Sequence, residues 1–193
     1  MKKRYKIILA LIVTVGIIVS VRSCVVRKEA DLTIAYIGHD FVNRSLFEEN
    51  RGEINAIVGD VDSNGTQICD ITEISFNENL STADLSNAKQ KMAYALGQGN
   101  ARVYIMEKSF FDSNKDSGVY ADLSYLSEDG LKNSDGEIIG IDVSGNEKLE
   151  KLGIKTDGTY IALRAVTEMD GVWNKNVEKT DEAARRLVEY ILY

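Results

Sequence analysis

Residues 32 to 38 read LTIAYIG: six apolar or β-prone side chains in succession, closed by a glycine. A run this short and this apolar fits a strand buried on both faces, and Gly38 ends it. Downstream, Asn43 is placed to cap a helix that carries Leu46, Phe47, Ile54, Ile57 and Val58 on one side, with Gly52 as its weak point. Asp60 to Gly65 reads as a turn, and Gln67 to Phe76 as a second strand in which Ile74 and Phe76 alternate. Ser81 or Thr82 can cap the next helix, where Leu85, Ala88, Met92, Ala95 and Leu96 fall on one helical stripe. After Gly97 and Gly99, Arg102 to Met106 (RVYIM) reads as a third buried strand. The order β-α-β-α-β predicts parallel pairing through right-handed crossovers.

The remainder is less regular. A short helix is expected near Phe110, followed by a stretch to residue 136 rich in Gly, Asn, Asp and Ser. Glu137 to Val143 and Thr159 to Val166 alternate as strands, and Ser144 to Leu152 between them reads as a short helix stopped by Gly153. Thr180 is the expected cap of a last helix whose Ala184, Leu187, Val188, Ile191 and Leu192 form one apolar face. The expected fold is α/β: a single three-layer domain over residues 29 to 193, with a mostly parallel sheet and helices on both faces. A transmembrane helix within residues 1 to 28 is expected to precede it.

That last expectation comes from charge and hydropathy. Residues 1 to 28 hold seven Lys or Arg and no acid, so the other 165 residues hold 16 basic and 30 acidic side chains, a net of −14. Between the basic clusters, residues 7 to 21 (IILALIVTVGIIVSV) carry no charge. As a helix they span roughly 22 Å, short of a bilayer core of about 30 Å unless the flanking residues snorkel. Three readings stand: a signal anchor with its N-terminus in the cytoplasm, a cleaved signal peptide, or a lipoprotein modified at Cys24, where Arg22 sits in a position that favours a small residue. Each puts residues 29 to 193 outside the cytoplasm, and the leading one, the signal anchor, holds them at a cell membrane as a single-pass protein. Cys24 and Cys69 could pair there, but two unpaired thiols is the favoured reading.

Several segments resemble pieces of bacterial extracellular solute-binding proteins, the receptors of ABC importers with the two-lobed type 2 periplasmic-binding fold. They are LTIAYIG at 32 to 38, YADLSYL at 120 to 126, IIGIDVSGN at 138 to 146 with LEKLGI at 149 to 154, and the closing EAARRLVEYIL. Asp142 stands where that family's strand motif has proline. The resemblance implies one lobe of such a receptor, shortened and membrane-anchored, with a ligand-binding or accessory role.

Candidate site residues follow from the strand ends. In a parallel α/β sheet, ligands bind beyond the carboxyl ends of strands, which would bring Gly38, His39, Asp40, Glu107, Asp142 and Ser144 to one edge. His39 is the only histidine and suits a titrating or ligand-facing role, although a solvated loop residue next to a capping Asp is the plainer reading. Trp173 suits sugar or peptide stacking if exposed, and a core lid otherwise. Asp60, Asp62 and Asn64 match the first half of a calcium loop, D-x-D-x-N-G, but position 12 is Ile71 where a bidentate Glu is needed. An ordinary turn explains the same residues, so weak Ca²⁺ binding is the only cofactor considered. The sequence lacks G-x-S-x-G, H-E-x-x-H, C-x-x-C and the phosphate-binding loop, so no enzyme class is assigned. A domain at −14 repels phosphate, which disfavours nucleic acid. The sequence points to a membrane-anchored binding or accessory domain; the alternative is a structural or protein-interaction module without a small ligand.

Overall fold

In the computed structural model, which describes residues 29–97, 100–167, 170 and 176–193, LTIAYIG forms the strand β1 (Leu32–Gly38), buried except at Thr33. Two short helices, α1 (Arg44–Asn50) and α2 (Gly52–Val58), lead to β2 (Cys69–Ser75), and α3 (Thr82–Gly97) leads on to β3 (Ala101–Glu107). β1 lies between β2 and β3 and is parallel to both, with Tyr36 opposite Glu73 and Ile105. Where one helix was expected over residues 43 to 58, the chain breaks at Arg51, just before Gly52.

The other half corrects the expectation of a mostly parallel sheet. After α4 (Lys108–Asp112) come β4 (Leu131–Lys132), β5 (Ile138–Asp142), α5 (Glu147–Lys151), β6 (Thr159–Leu163) and α6 (Val177–Leu192). The strand order is β2-β1-β3-β6-β5-β4, and every pairing beyond β3 is antiparallel, so the sheet is mixed. The reversal lies at β6: β5 runs in the same direction as β3, and the link from β5 to β6, which holds the five-residue helix α5, brings the chain back at the edge where β5 ends, so β6 runs the other way.

Helices cover both faces. On one, Phe47 of α1, Ile54 and Val58 of α2, Leu149 of α5 and Leu187, Val188 and Ile191 of α6 pack on Ile34, Val103, Ile105 and Ile161. On the other, Ala88, Ala95 and Leu96 of α3 and Phe111 of α4 pack on Ala35, Ile37, Tyr104 and Met106. Helix α3 is the looser of the two long helices: Leu85, expected on its core stripe, is 36% exposed. Helix α6 starts before Thr180, which lies inside it and whose hydroxyl donates to the Asn176 carbonyl, so Thr180 is not its cap.

Two further details position the site. Gly153, with φ at +76°, lets its loop approach α1 so closely that Asn43 N–H donates to the Gly153 carbonyl at 2.8 Å. On the outer strand β2, Cys69 N–H donates to Asn55 Oδ1 at 2.7 Å and Ile71 N–H to Asp70 Oδ1 at 2.8 Å. Cys69 is a free buried thiol, pushed up to about 12 chiefly by burial. The expected membrane-crossing helix finds no counterpart: among the described residues no helix is long and apolar enough to cross a membrane. Residues 7 to 21 and Cys24 lie outside the described residues.

Candidate binding site at the carboxyl edge of the sheet

The connection from β1 to β2 runs over the face that carries α1 and α2, and the return from β2 to β3 runs over the opposite face through α3. From the carboxyl end of β1 the chain turns to the face of α1, and from that of β3 it turns through α4 to the face of α3, so the connections leave these neighbouring strands on opposite faces. This reversal is where α/β sheets open a crevice. His39 follows β1 and Glu107 ends β3, and the two are in direct contact. His39 N–H donates to Glu107 Oε1 at 2.6 Å, and His39 Nδ1 lies 2.5 Å from Glu107 Oε2. The imidazole is 51% exposed and the carboxylate 21%.

Gly38 makes the contact possible. A Cβ there would stand 2.7 Å from Glu107 Oε1 and 2.8 Å from the Tyr36 hydroxyl oxygen. Tyr36 lies beneath, its hydroxyl pushed well above the usual tyrosine range by burial and then by the carboxylates of Glu107, Asp40 and Glu73. Glu73 Oε2 accepts from Val42 N–H at 3.1 Å, and Asp40 pairs with Lys155 at 2.8 Å. On the other side of His39 stands an aromatic shelf: Phe110 with its ring centre 5.4 Å from the imidazole, and Phe76 4.6 Å from Phe110.

Gly38, His39, Asp40 and Glu107 thus gather in one place. Asp142 and Ser144 reach the same edge beyond β6, where they close a turn of their own. Asp142 Oδ1 accepts from the Ser144 N–H at 2.8 Å and its hydroxyl at 2.6 Å, and Ser144 Oγ accepts from Gly158 N–H at 3.2 Å. Trp173 lies outside the described residues. Tyr36, Glu73, Phe76, Phe110 and Lys155 were not among the site residues expected from the sequence. Tyr36 and Glu73 are ordinary strand residues until β1 and β2 are paired in register.

The Asp60 to Gly65 loop lies elsewhere, before β2. One oxygen each of Asp31, Asp60 and Asp62 fall within 4.8 Å of one another, and Asp31, invisible to the motif, is buried. Yet these oxygens already accept backbone N–H groups. Asp31 takes those of Val61 at 2.7 Å and Ile68 at 2.8 Å, and Asp60 takes those of Gly65 at 2.8 Å and Asn64 at 3.0 Å. The Gly65 bond above all holds the Asp60 carboxyl below the usual range. Asn64 Oδ1 accepts from Thr66 N–H at 2.9 Å, and its amide donates to Asp62 at 2.7 Å. This is the hydrogen bonding of a turn.

Three further features had no sequence signal. A depression of about 610 Å³ opens beside that loop, between Arg51, Asn55, Asp60 and Thr66. A second, of about 320 Å³, lies between α2, α5 and α6, lined by Glu53, Ile54, Lys148, Lys151 and Tyr190. The Tyr190 hydroxyl is pushed up to about 12, chiefly by its hydrogen bond to Glu53. At the opposite edge of the sheet, the nearly buried Arg102 and Arg164 both reach Asp170, at 3.4 and 3.1 Å. Comparison with protein-family models, with curated proteins and with solved structures finds no match to this chain. No relative therefore identifies it as a solute-binding lobe, and the functional reading rests on the geometry.

Proposed function

We propose that residues 29 to 193 form an extracytoplasmic binding or accessory domain, akin to one lobe of a solute receptor, that takes a small polar ligand at the carboxyl edge between β1 and β3. The observation that carries this reading is the His39–Glu107 pair at the reversal of the strand order, 2.5 Å apart and open to solvent. Its polar groups converge from two strands over Gly38 and Tyr36, in a place where a Cβ would meet the Glu107 carboxylate and the Tyr36 hydroxyl. The extracytoplasmic setting is supported by the uncharged stretch at 7 to 21 between basic clusters, which is the pattern of a membrane-directed leader.

Two measurements test the reading. Protease added to intact cells is expected to degrade residues 29 to 193; full protection rejects the location. A thermal-shift screen with sugars, amino acids and amines is expected to find a solute that raises the melting temperature by linkage. A second reading has one observation in its favour: Phe41, next to the site, is 60% exposed, and Leu46 is 39% exposed. An apolar rim of this kind suits a protein partner. A flat solute screen together with a partner lost on Phe41→Ala would favour it.

A further inference from the structure

Resting on the reading of the β1–β3 edge as a ligand site, we infer that its ligand carries an organic cation, an ammonium or guanidinium group, which replaces the His39 ring on Glu107. Three observations lead there. Glu107 closes the central strand β3 with both oxygens turned to His39, one to its main chain and one to its ring. The ring is half exposed on a loop, so the ring contact can be exchanged while the main-chain bond stays. The carboxylate is thereby held in place and oriented by a group that a ligand can displace.

The surroundings select charge. Glu73, Asp40, Asp142 and Asp157 accompany Glu107 at this edge, and the nearby ammonium groups are already paired, Lys155 with Asp40 at 2.8 Å and Lys108 with Asp112 at 2.7 Å. The whole domain beyond residue 28 carries −14, so the field around the edge gathers cations. Shape adds the third element. The imidazole is a flat ring in tilted contact with Phe110, ring centres 5.4 Å apart, and Phe110 is backed by Phe76. A carboxylate facing an aromatic shelf is the chemistry that holds alkylammonium and guanidinium groups, by a charge-assisted hydrogen bond or ion pair on one side and a cation–π contact on the other. His39 occupies that position as a built-in surrogate.

The single histidine makes the test direct, since the full-length chain gives one set of imidazole ring signals by NMR. Choline and arginine are titrated against glutamate, glucose, calcium chloride and zinc chloride. The expected result is a saturable shift of the ring signal with choline or arginine alone. Glu107→Gln is expected to weaken that binding at least tenfold, and Phe110→Leu to weaken choline severalfold. His39→Ala is expected to tighten both cations about threefold by thermal shift, because the competitor is gone; a purely structural His39 would not do this. Should Glu107→Gln fail to fold, the exposed His39 variant alone decides. A shift with glutamate or glucose and none with the cations overturns the ligand class and leaves the site reading standing. A response to metal salts alone also overturns it. Silence to every solute removes both the class and the site.

Discussion

Gly153 holds a backbone angle of φ +76°, and a methyl group there would meet the Asn43 carbonyl oxygen at 2.7 Å. Main chain on the far side cannot yield as a flexible side chain could, so Gly153→Ala is expected to cost about 2–3 kcal/mol, from left-handed strain and the clash together. A urea midpoint measured against the parent chain checks this. Asp31 is the second residue whose neighbours fix its value. Its buried carboxylate accepts the N–H groups of Val61, Asp62 and Ile68. Asp31→Ala leaves these donors without their acceptor and is expected to destabilise by about 2–4 kcal/mol; a loss below half a kcal/mol would mean that water replaces the carboxylate without cost. Residue types alone pointed to Asp60 and Asp62 through the D-x-D spacing. They could not point to Asp31, which joins them only because β1 begins beside the loop before β2.

The two sixteen-residue helices differ in how much they contribute to the fold. Helix α6 buries Ala183, Ala184, Leu187, Val188 and Ile191, whereas α3 buries only Ala88, Ala95 and Leu96. Leu187→Ala is therefore expected to cost about 3–4 kcal/mol, and Leu85→Ala, at a position already 36% exposed, under about 1 kcal/mol. Chemical denaturation of the two variants side by side reads the difference. Both helices were legible from their apolar stripes, as was β1 from its short run of apolar and β-prone residues. The direction of β6 was not, because the alternation of Thr159 to Leu163 reports a strand without saying which neighbour it joins. The start of α6 was hidden for a similar reason. Thr180 looks like a cap in sequence, but its hydroxyl turns back to the Asn176 carbonyl inside the helix. At the site, the shared edge of His39 and Glu107 follows from where two buried strands end; Phe110 and Lys155 reach it from segments whose path the sequence does not dictate.

Across the whole molecule, charge sets the response to pH. Asp60, Asp122 and Asp170 are all held below the usual carboxylate range. For Asp60 the leading cause is the Gly65 N–H bond, and for Asp122 the Ser124 hydroxyl. At Asp170 burial works the other way and is outweighed by the Thr167 hydrogen bonds and by Arg102 and Arg164. Carboxyls depressed in the folded state bind their protons more weakly there than in the unfolded chain. Their stabilisation is fully present above the unfolded value of about 3.9 and is lost as pH falls through the folded values. The melting temperature is expected to drop as pH falls below about 4. Asp170→Asn should lower it at pH 7 and flatten that slope, because protonation then removes one ion-paired carboxylate fewer; an unchanged slope would put the acid sensitivity elsewhere.

The sheet also has two rims along its length, and neither invites another chain. On β2 the outward N–H groups of Cys69 and Ile71 are satisfied by Asn55 and Asp70, and Asp70 and Glu73 add negative charge. The other rim, β4, is two residues long. A second molecule seeking to extend the sheet finds the first two outward donors of β2 taken, with negative charge beside them, on one side and too little ladder on the other. Many copies crowded at one surface should thus remain separate folded units and not zip into fibrils through their strands.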